Sequence, residues 1–335
     1  MPNTTESQSL PSPILVTGGT GLVGNNVVRR LIELGCRVRV LMRRSSDRRP
    51  VEDLDVETVE GDVTDFESIQ RAVEGVGAVV HAAGCILLGW RNKQLHDQVN
   101  RQGTANVARA ARAAGARMVF VSTVNALGVG APSCPATETS VSGPNLPCPY
   151  VTSKQAAERA VRAEIERGLE AMLVYPGFML GPWDWKPSSG KMLLQVARGF
   201  VPFAPVGGFS VGDVRDVADG ICNALIRFAT GRQYILAGHN VSYLEAWRHF
   251  AQVAGHRGPF CRSGPLMRSA AGRLGDLWGR ISGREPDVNS AAVKLSDRWH
   301  VFSSARAQRE LGYRIRPMDE SIHDSLEWLN QHGYV

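Results

Sequence analysis

A chain of 335 residues is long enough for two domains, or for one large α/β domain with an appendage. With 43% hydrophobic and 21% charged residues it can bury a large core, which excludes disorder, and no run of about 18 uncharged apolar residues offers a spanning helix. The formal charge of +6 asks for an acidic partner: nucleic acid, an anionic membrane or a phosphorylated small molecule.

Residues 1–12 are polar, lack the basic-then-apolar order of a signal peptide and read as a disordered tail. The six cysteines are dispersed without a CxxC pair, which points to a reduced, cytoplasmic protein without a metal site. From residue 13 onward short apolar runs alternate with helical patterns. Residues 14–17, 38–42, 56–59, 78–81 and 118–122 read as strands covered on both faces, and 22–34, 66–74 and 93–114 as helices. Gly35, Gly75 and Gly115 follow those helices, where a C-terminal glycine belongs. A helix at 150–167 and a strand at 171–175 continue the pattern. The alternation predicts a doubly wound parallel sheet, an α/β Rossmann fold over 13–175. After Pro176 the chain is rich in Gly, Pro and aromatics, with helices expected at 214–228, 242–254, 303–311 and 321–329. This predicts a smaller, mostly helical substrate region over 176–335, interleaved with the sheet, with 214–236 returning to the first domain.

The first strand runs into Thr17-Gly18-Gly19-Thr20-Gly21-Leu22-Val23-Gly24 and then a helix. The GxxGxxG spacing suits a dinucleotide: Gly18 for the turn, Gly21 for approach to a pyrophosphate, Gly24 for close helix packing, and free N–H groups for the phosphates. The second strand ends without the acid that holds the ribose of NAD. It carries Arg43 and Arg44 instead, which suit the 2′-phosphate of NADP. NADP(H) is therefore favoured, with NAD(H) the alternative. Asp62, followed by Val63, either meets the adenine amino group or caps the next helix.

Tyr150 and Lys154 are four residues apart and share one helix face. An ammonium beside a phenol is expected to lower the phenol's pKa and fit it for proton exchange with a carbinol oxygen. The preceding strand ends in Ser122 and Thr123, either of which can hydrogen-bond that oxygen.

These elements sit among further motifs: GDVTD (61–65), HAAG (81–84), VNRQGTANV (99–107), VSTVNALG (121–128), YVTSK (150–154), PGFMLGP (176–182) and DVRDVA (213–218). In this order the chain resembles an extended short-chain dehydrogenase/reductase, the NAD-dependent epimerase/dehydratase family, over 13–330. The resemblance implies that Tyr150 is the general acid/base and that Lys154 binds the nicotinamide ribose. Thr123 would be the catalytic hydroxyl. The dinucleotide would meet Gly18, Thr20, Gly21, Leu22, Val23, Gly24, Asp62, Val63, the backbone of Ala82, Ala83 and Gly84, and, at its nicotinamide end, Pro176 and Phe178. Asn100 would buttress the active-site backbone, or be an ordinary helix-interior amide. A homodimer through 93–114 and 150–167 is the family's usual pairing.

Within the family, Thr123-Val124-Asn125 replaces the Thr-Asp-Glu of nucleotide-sugar dehydratases, which disfavours dehydration. Local wording (38–41, 45–49 and 284–286) resembles the dihydroflavonol-reductase-like branch, which includes hopanoid-associated sugar epimerases and resembles 3β-hydroxysteroid dehydrogenases. Cys85, Trp90, Asn125, Phe178, Trp183 and Phe209 are candidates for an apolar substrate chamber; each aromatic is equally suited to core packing. The leading expectation is an NADPH-dependent reductase of a hydrophobic ketone or aldehyde. The alternatives are a nucleotide-sugar 4-epimerase with tightly held NAD, a 3β-hydroxysteroid dehydrogenase-like enzyme, and a non-catalytic NADP-binding sensor. No nucleic-acid motif is present.

The positive charge is concentrated in two stretches. Residues 37–49 and 255–284 each hold six arginines and one aspartate. The second stretch also carries Leu266, Leu274, Leu277, Trp278 and Ile281 at helical spacing. It reads as a lid or a packing face, or as a basic amphipathic helix on a membrane.

Overall fold

The computed structural model describes residues 10–335. The tail expected over 1–12 lies outside the described residues as far as residue 9. Leu10 packs on the core, and Ser12 Oγ accepts from the Arg37 N–H at 3.2 Å.

In chain order the elements are β1 (Ile14–Thr17), α1 (Leu22–Glu33), β2 (Val38–Met42), β3 (Glu57–Glu60), α2 (Phe66–Val73), β4 (Ala78–His81), α3 (Lys93–His96), α4 (Gly103–Ala113), β5 (Arg117–Val121), α5 (Val124–Leu127), α6 (Pro149–Glu166) and β6 (Ala171–Pro176). There follow β7 (Phe178–Leu180), α7 (Gly190–Ala197), β8 (Phe203–Ala204), β9 (Gly208–Asp213), α8 (Val214–Ile226), β10 (Gln233–Leu236), β11 (His239–Ser242), α9 (Tyr243–Val253), β12 (Cys261–Arg262), α10 (Pro265–Ser282), α11 (Ser290–Ser296), β13 (Trp299–His300), α12 (Ala305–Leu311) and α13 (Met318–Gln331).

Seven parallel strands form the main sheet in the order β10-β6-β5-β4-β1-β2-β3. This is the Rossmann arrangement, and the strand order reverses between β1 and β4, where such sheets open a crevice for ligands. The strands Ile14–Thr17 and Ala78–His81, apolar except for their last residues, lie at that centre, buried on both faces. One core joins the sheet to α1 and α8; the other joins its opposite face to α2, α4 and α6. A third core, built around Phe209, Trp247, Phe250 and Trp328, holds the C-terminal region. That region carries a second sheet in which β9 is flanked by β7, β11 and β13.

Two expectations are corrected. β3 spans Glu57–Glu60 and is largely exposed, because it is the edge strand with only β2 beside it. The single helix expected over 93–114 is α3 and α4 joined by a π-helical stretch, Asp97–Gln102. The wider turn there swings Asn100 inward, as π-bulges at functional positions do.

Candidate active site

The glycine loop is fixed by close approach at two of its three positions. A Cβ on Gly18, at φ +75°, would lie 2.6 Å from Ala83 N, and one on Gly24 would lie 2.2 Å from Gly18 O. At Gly21 a Cβ would meet only Gly18 O, at 3.4 Å. The protein's own packing thus demands little of Gly21, and the open approach is toward a ligand. α1 has no side-chain cap and no acid in its first turn, so its N–H groups and positive dipole end face an anion without competition. These features fit a dinucleotide pyrophosphate.

At the end of β2, Arg43 is exposed and has no ion pair among the described residues. Arg44 pairs with Glu60 at 3.1 Å, and Asp47 is taken by Arg49 at 2.7 Å. Glu60 was not anticipated, because its approach to Arg44 depends on the β2–β3 register. Asp62 accepts from the Thr64 N–H at 2.8 Å in a local turn, while the cap of α2 is Asp65. Val63 is buried against Gly103, and its carbonyl accepts from Asn106 at 3.0 Å.

At the sheet's switch point Thr17 Oγ1 and His81 Nδ1 are 2.6 Å apart, and His81 Nε2 lies 2.9 Å from Thr104 Oγ1. Burial pushes His81 down to about 3, so the ring is neutral. The backbone of Ala82 and Ala83 is pinned to Thr17 by hydrogen bonds of 3.1 and 3.3 Å. Gly84 completes the turn; a Cβ there would lie 3.2 Å from Asn100 Oδ1 and 3.6 Å from Lys154 Nζ. Asn100 accepts from Cys85 N–H at 2.7 Å and donates to Cys85 O and Ser153 Oγ at 2.9 Å each. It therefore buttresses both the Cys85 backbone and the first turns of α6.

Tyr150 and Lys154 are both buried on α6. Lys154 Nζ donates to Val121 O at 3.0 Å, and burial lowers its pKa to about 8 against the opposing charge of Glu158. Burial likewise pushes Tyr150 up to about 12, against a hydrogen bond with Thr123. The lowered phenol pKa expected from Lys154 is not found, since desolvation dominates and the ammonium is committed to a backbone carbonyl. The two candidate hydroxyls are held differently. Ser122 Oγ donates to Glu158 at 2.5 Å, further along the buried face of α6. Thr123 Oγ1 accepts from the Asn125 N–H at 3.3 Å as the cap of α5, which leaves its O–H free to act beside Tyr150.

Three further groups complete the site. His96 stands edge-on to Tyr150 with centroids 6.2 Å apart and lies 3.8 Å from Cys85 Sγ. Glu158 is one turn beyond Lys154 and also accepts from Tyr175 at 3.2 Å. Ala291 and Leu295 of α11 share a small core with Tyr150, Cys148 and Leu146. Helical spacing from Asn100 and Lys154 could have flagged His96 and Glu158. Nothing local announces α11, which reaches Tyr150 from a distant part of the chain.

The chamber candidates divide. Phe178, just past Pro176, packs edge-on to Phe209 at 4.9 Å. Asn125 is held by Asn145 Nδ2, 3.2 Å from its side-chain oxygen. Trp183 has the Arg29 guanidinium 3.2 Å above its ring and Trp328 6.1 Å away, so its faces are used in packing. Trp90 donates to Ser290 Oγ at 2.9 Å, which ties it to α11 at the surface.

Residues 14–237 match the NAD dependent epimerase/dehydratase family. The chain belongs to this family. It is an oxidoreductase of the extended short-chain dehydrogenase/reductase type. It is 32% identical over 332 residues to a putative dihydroflavonol 4-reductase of Synechocystis, covering 96% of this chain and 95% of that protein. It is 37% identical over 333 residues to a ceramide reductase of Caulobacter vibrioides, covering 96% of each. The crystal structure of gox2253 superposes with a TM-score of 0.83 at 34% identity, covering 96% of this chain and 99% of that one.

Proposed function

We propose that the protein is an NADPH-dependent reductase of a ketone or aldehyde on a large hydrophobic molecule. The observation that carries this reading is a buried, neutral Tyr150 phenol beside a Thr123 hydroxyl free to donate, walled by apolar side chains. A phenol held up to about 12 is a proton donor at neutral pH, which is the form that carbonyl reduction uses. When bound, the dinucleotide would supply a hydride for the carbonyl carbon. Tyr150 delivers the proton to the carbonyl oxygen, and Thr123 aligns that oxygen by donating to it. Lys154 lies against Gly84 and Val121, where it would hold the ribose of the dinucleotide and fix its distance from Tyr150. Asn100 keeps the Cys85 backbone in place beneath the substrate.

Arg43 would meet the 2′-phosphate, since it is the unpaired cation at the end of β2 and no free carboxylate stands beside it to take a ribose hydroxyl. The names of the two relatives, a dihydroflavonol reductase and a ceramide reductase, are in keeping with a bulky hydrophobic carbonyl.

The test is cofactor oxidation across a panel of flavanonols, ketosteroids, long-chain keto-lipids and keto-sugars. Activity with a hydrophobic ketone and NADPH, falling about 10²–10⁴-fold in Tyr150→Phe with unchanged melting, is expected. Arg43→Ala should raise the KM for NADPH about tenfold or more and leave that for NADH unchanged. Tightly retained NAD with turnover of a sugar nucleotide alone would favour the epimerase instead.

A further inference from the structure

α10 is docked through its glycines, and its apolar side chains point away from the protein. A Cβ on Gly272, Gly275 or Gly279 would meet Ser290 Cα at 3.0 Å, Val288 O at 1.9 Å and Pro286 Cδ at 3.0 Å. On the same side Asp276 accepts from the Ser290 N–H at 3.0 Å, and Arg268 pairs with Asp297 at 3.0 Å. Steps of about 100° per residue place Leu266, Met267, Leu274, Leu277, Trp278 and Ile281 in one arc of roughly 120° on the opposite side. These six are 41–86% exposed. The expectation that this stripe packs, or closes over the chamber, is not met by the chain's own contacts.

The exposure is regional. Of the eighteen large apolar side chains that stand exposed among the described residues, eight fall in 260–288 and four more are Ile86, Leu87, Leu88 and Trp90. The 86–91 loop is tied to the 285–290 segment, on the docked side of α10. Asn289 Nδ2 donates to Leu88 O at 2.8 Å, Trp90 to Ser290 Oγ at 2.9 Å, and Arg91 N–H to Glu285 at 2.8 Å. The stripe on α10 is an exposed apolar surface in its own right, and such a surface on a folded chain marks a contact site.

The charges name the partner. Arg273 and Arg280 flank one edge of the stripe by the same helical arithmetic, and Arg257, Arg262 and Arg284 lie at its ends. All five are exposed, and none has an ion pair among the described residues, the segment's pairing being that of Arg268 with Asp297. We propose that this face docks on an anionic lipid bilayer, with the leucines, Trp278 and Ile281 at the headgroup boundary and the arginines on lipid phosphates. Long guanidinium side chains can lie along an apolar stripe and reach phosphate at its edge. A second copy of the chain fits less well, because a two-fold contact would set one unpaired arginine row against another. The proposal holds whichever carbonyl or sugar the site reduces.

The experiment is co-sedimentation of the full chain with phosphatidylcholine vesicles, pure or with about a third phosphatidylglycerol, at low and high salt. Binding to the anionic vesicles at low salt, much weakened at high salt, is expected. Arg273→Ser with Arg280→Ser should weaken it about fivefold per arginine, and Leu277→Ser with Trp278→Ser should abolish it. Both double variants should keep the melting temperature and the NADPH turnover of a water-soluble carbonyl. No binding at low salt overturns the proposal, as does equal binding to neutral vesicles or binding indifferent to Leu277 and Trp278. A dimer that dissociates in Leu277→Ser with Trp278→Ser, without vesicle binding, overturns it in favour of a second copy. Because soluble-substrate turnover is read separately, loss of the reductase reading would not be confused with loss of this one.

Discussion

α6 and α10 are both 18 residues long, open with proline and lack a side-chain cap, yet they are used in opposite ways. α6 buries polar groups: Tyr150, Ser153, Lys154, Glu158 and Glu164 all turn inward beside valines and alanines. α10 buries only Gly272 and Gly279 and leaves its leucines, tryptophan and isoleucine outside. Burial on α6 is tolerable because each polar group has a partner, such as Val121 O for Lys154 and Ser122 and Tyr175 for Glu158. Exposure on α10 persists because its glycines allow a backbone approach to 286–290 that larger residues would block. Hydropathy alone predicts the reverse for both helices, so which face is buried is decided by partners and close approach.

The largest effect that would sharpen this contrast lies on α6. Glu158→Ala strips Ser122 of its acceptor, leaves Tyr175 with Gln233 alone, and leaves the buried Lys154 without a neighbouring negative charge. Unfolding in urea should show a loss of about 3 kcal/mol, with Glu158→Gln recovering part of it. On α10 the sensitive position is a glycine. Gly275→Ala drives a Cβ into Val288 O and should cost about 1–3 kcal/mol locally, read as faster proteolysis within 265–290 while the sheet stays protected.

The pH dependence comes next. The His81 pKa is about 3 in the fold against an ordinary 6.5, and that of His300 is about 4, both lowered mainly by burial. A depressed folded pKa contributes stability that is whole above pH 6.5 and is lost as pH falls through the folded value. Urea midpoints should therefore decline on acidification below about 6.5, by up to about 1.4 kcal/mol per pH unit for each ring, and His81→Asn should flatten that slope. The smallest effect is the most telling for the comparison. Leu277→Ser should change stability in the absence of vesicles by less than about 0.5 kcal/mol; a loss of several kcal/mol would mean that the stripe is covered after all.

Much of the site was legible before the fold. The GxxGxxG run, Tyr150 with Lys154 and the strand end at Thr123 carry their chemistry in local spacing. Other features depended on what crosses from elsewhere. Ser122 and Thr123 are adjacent and both hydroxylated, and only Glu158 on one side and the Asn125 N–H on the other separate their roles. The π-helical turn that aims Asn100 left no mark in the hydrophobic period of 93–114. The phenol's pKa departs from the expectation because burial, which sequence proximity does not show, outweighs the nearby ammonium. Trp90 and Trp183 are candidate chamber walls by residue type alone, and only the fold shows that Ser290 and Arg29 hold them.

The sequence by itself determined the doubly wound sheet, the glycine loop after β1, the placing of Tyr150 and Lys154 on one helix face and the two concentrations of arginine. These are set by nearest neighbours along the chain: alternation of strand and helix, glycine at turns, i,i+4 spacing. Only the tertiary structure decided that Arg44 is paired with Glu60 while Arg43 has no ion pair among the described residues, that Tyr150 is buried and neutral, and that the stripe of α10 faces outward. Each of those depends on which distant group arrives to pair, desolvate or cover a side chain, and that is a property of the packed chain.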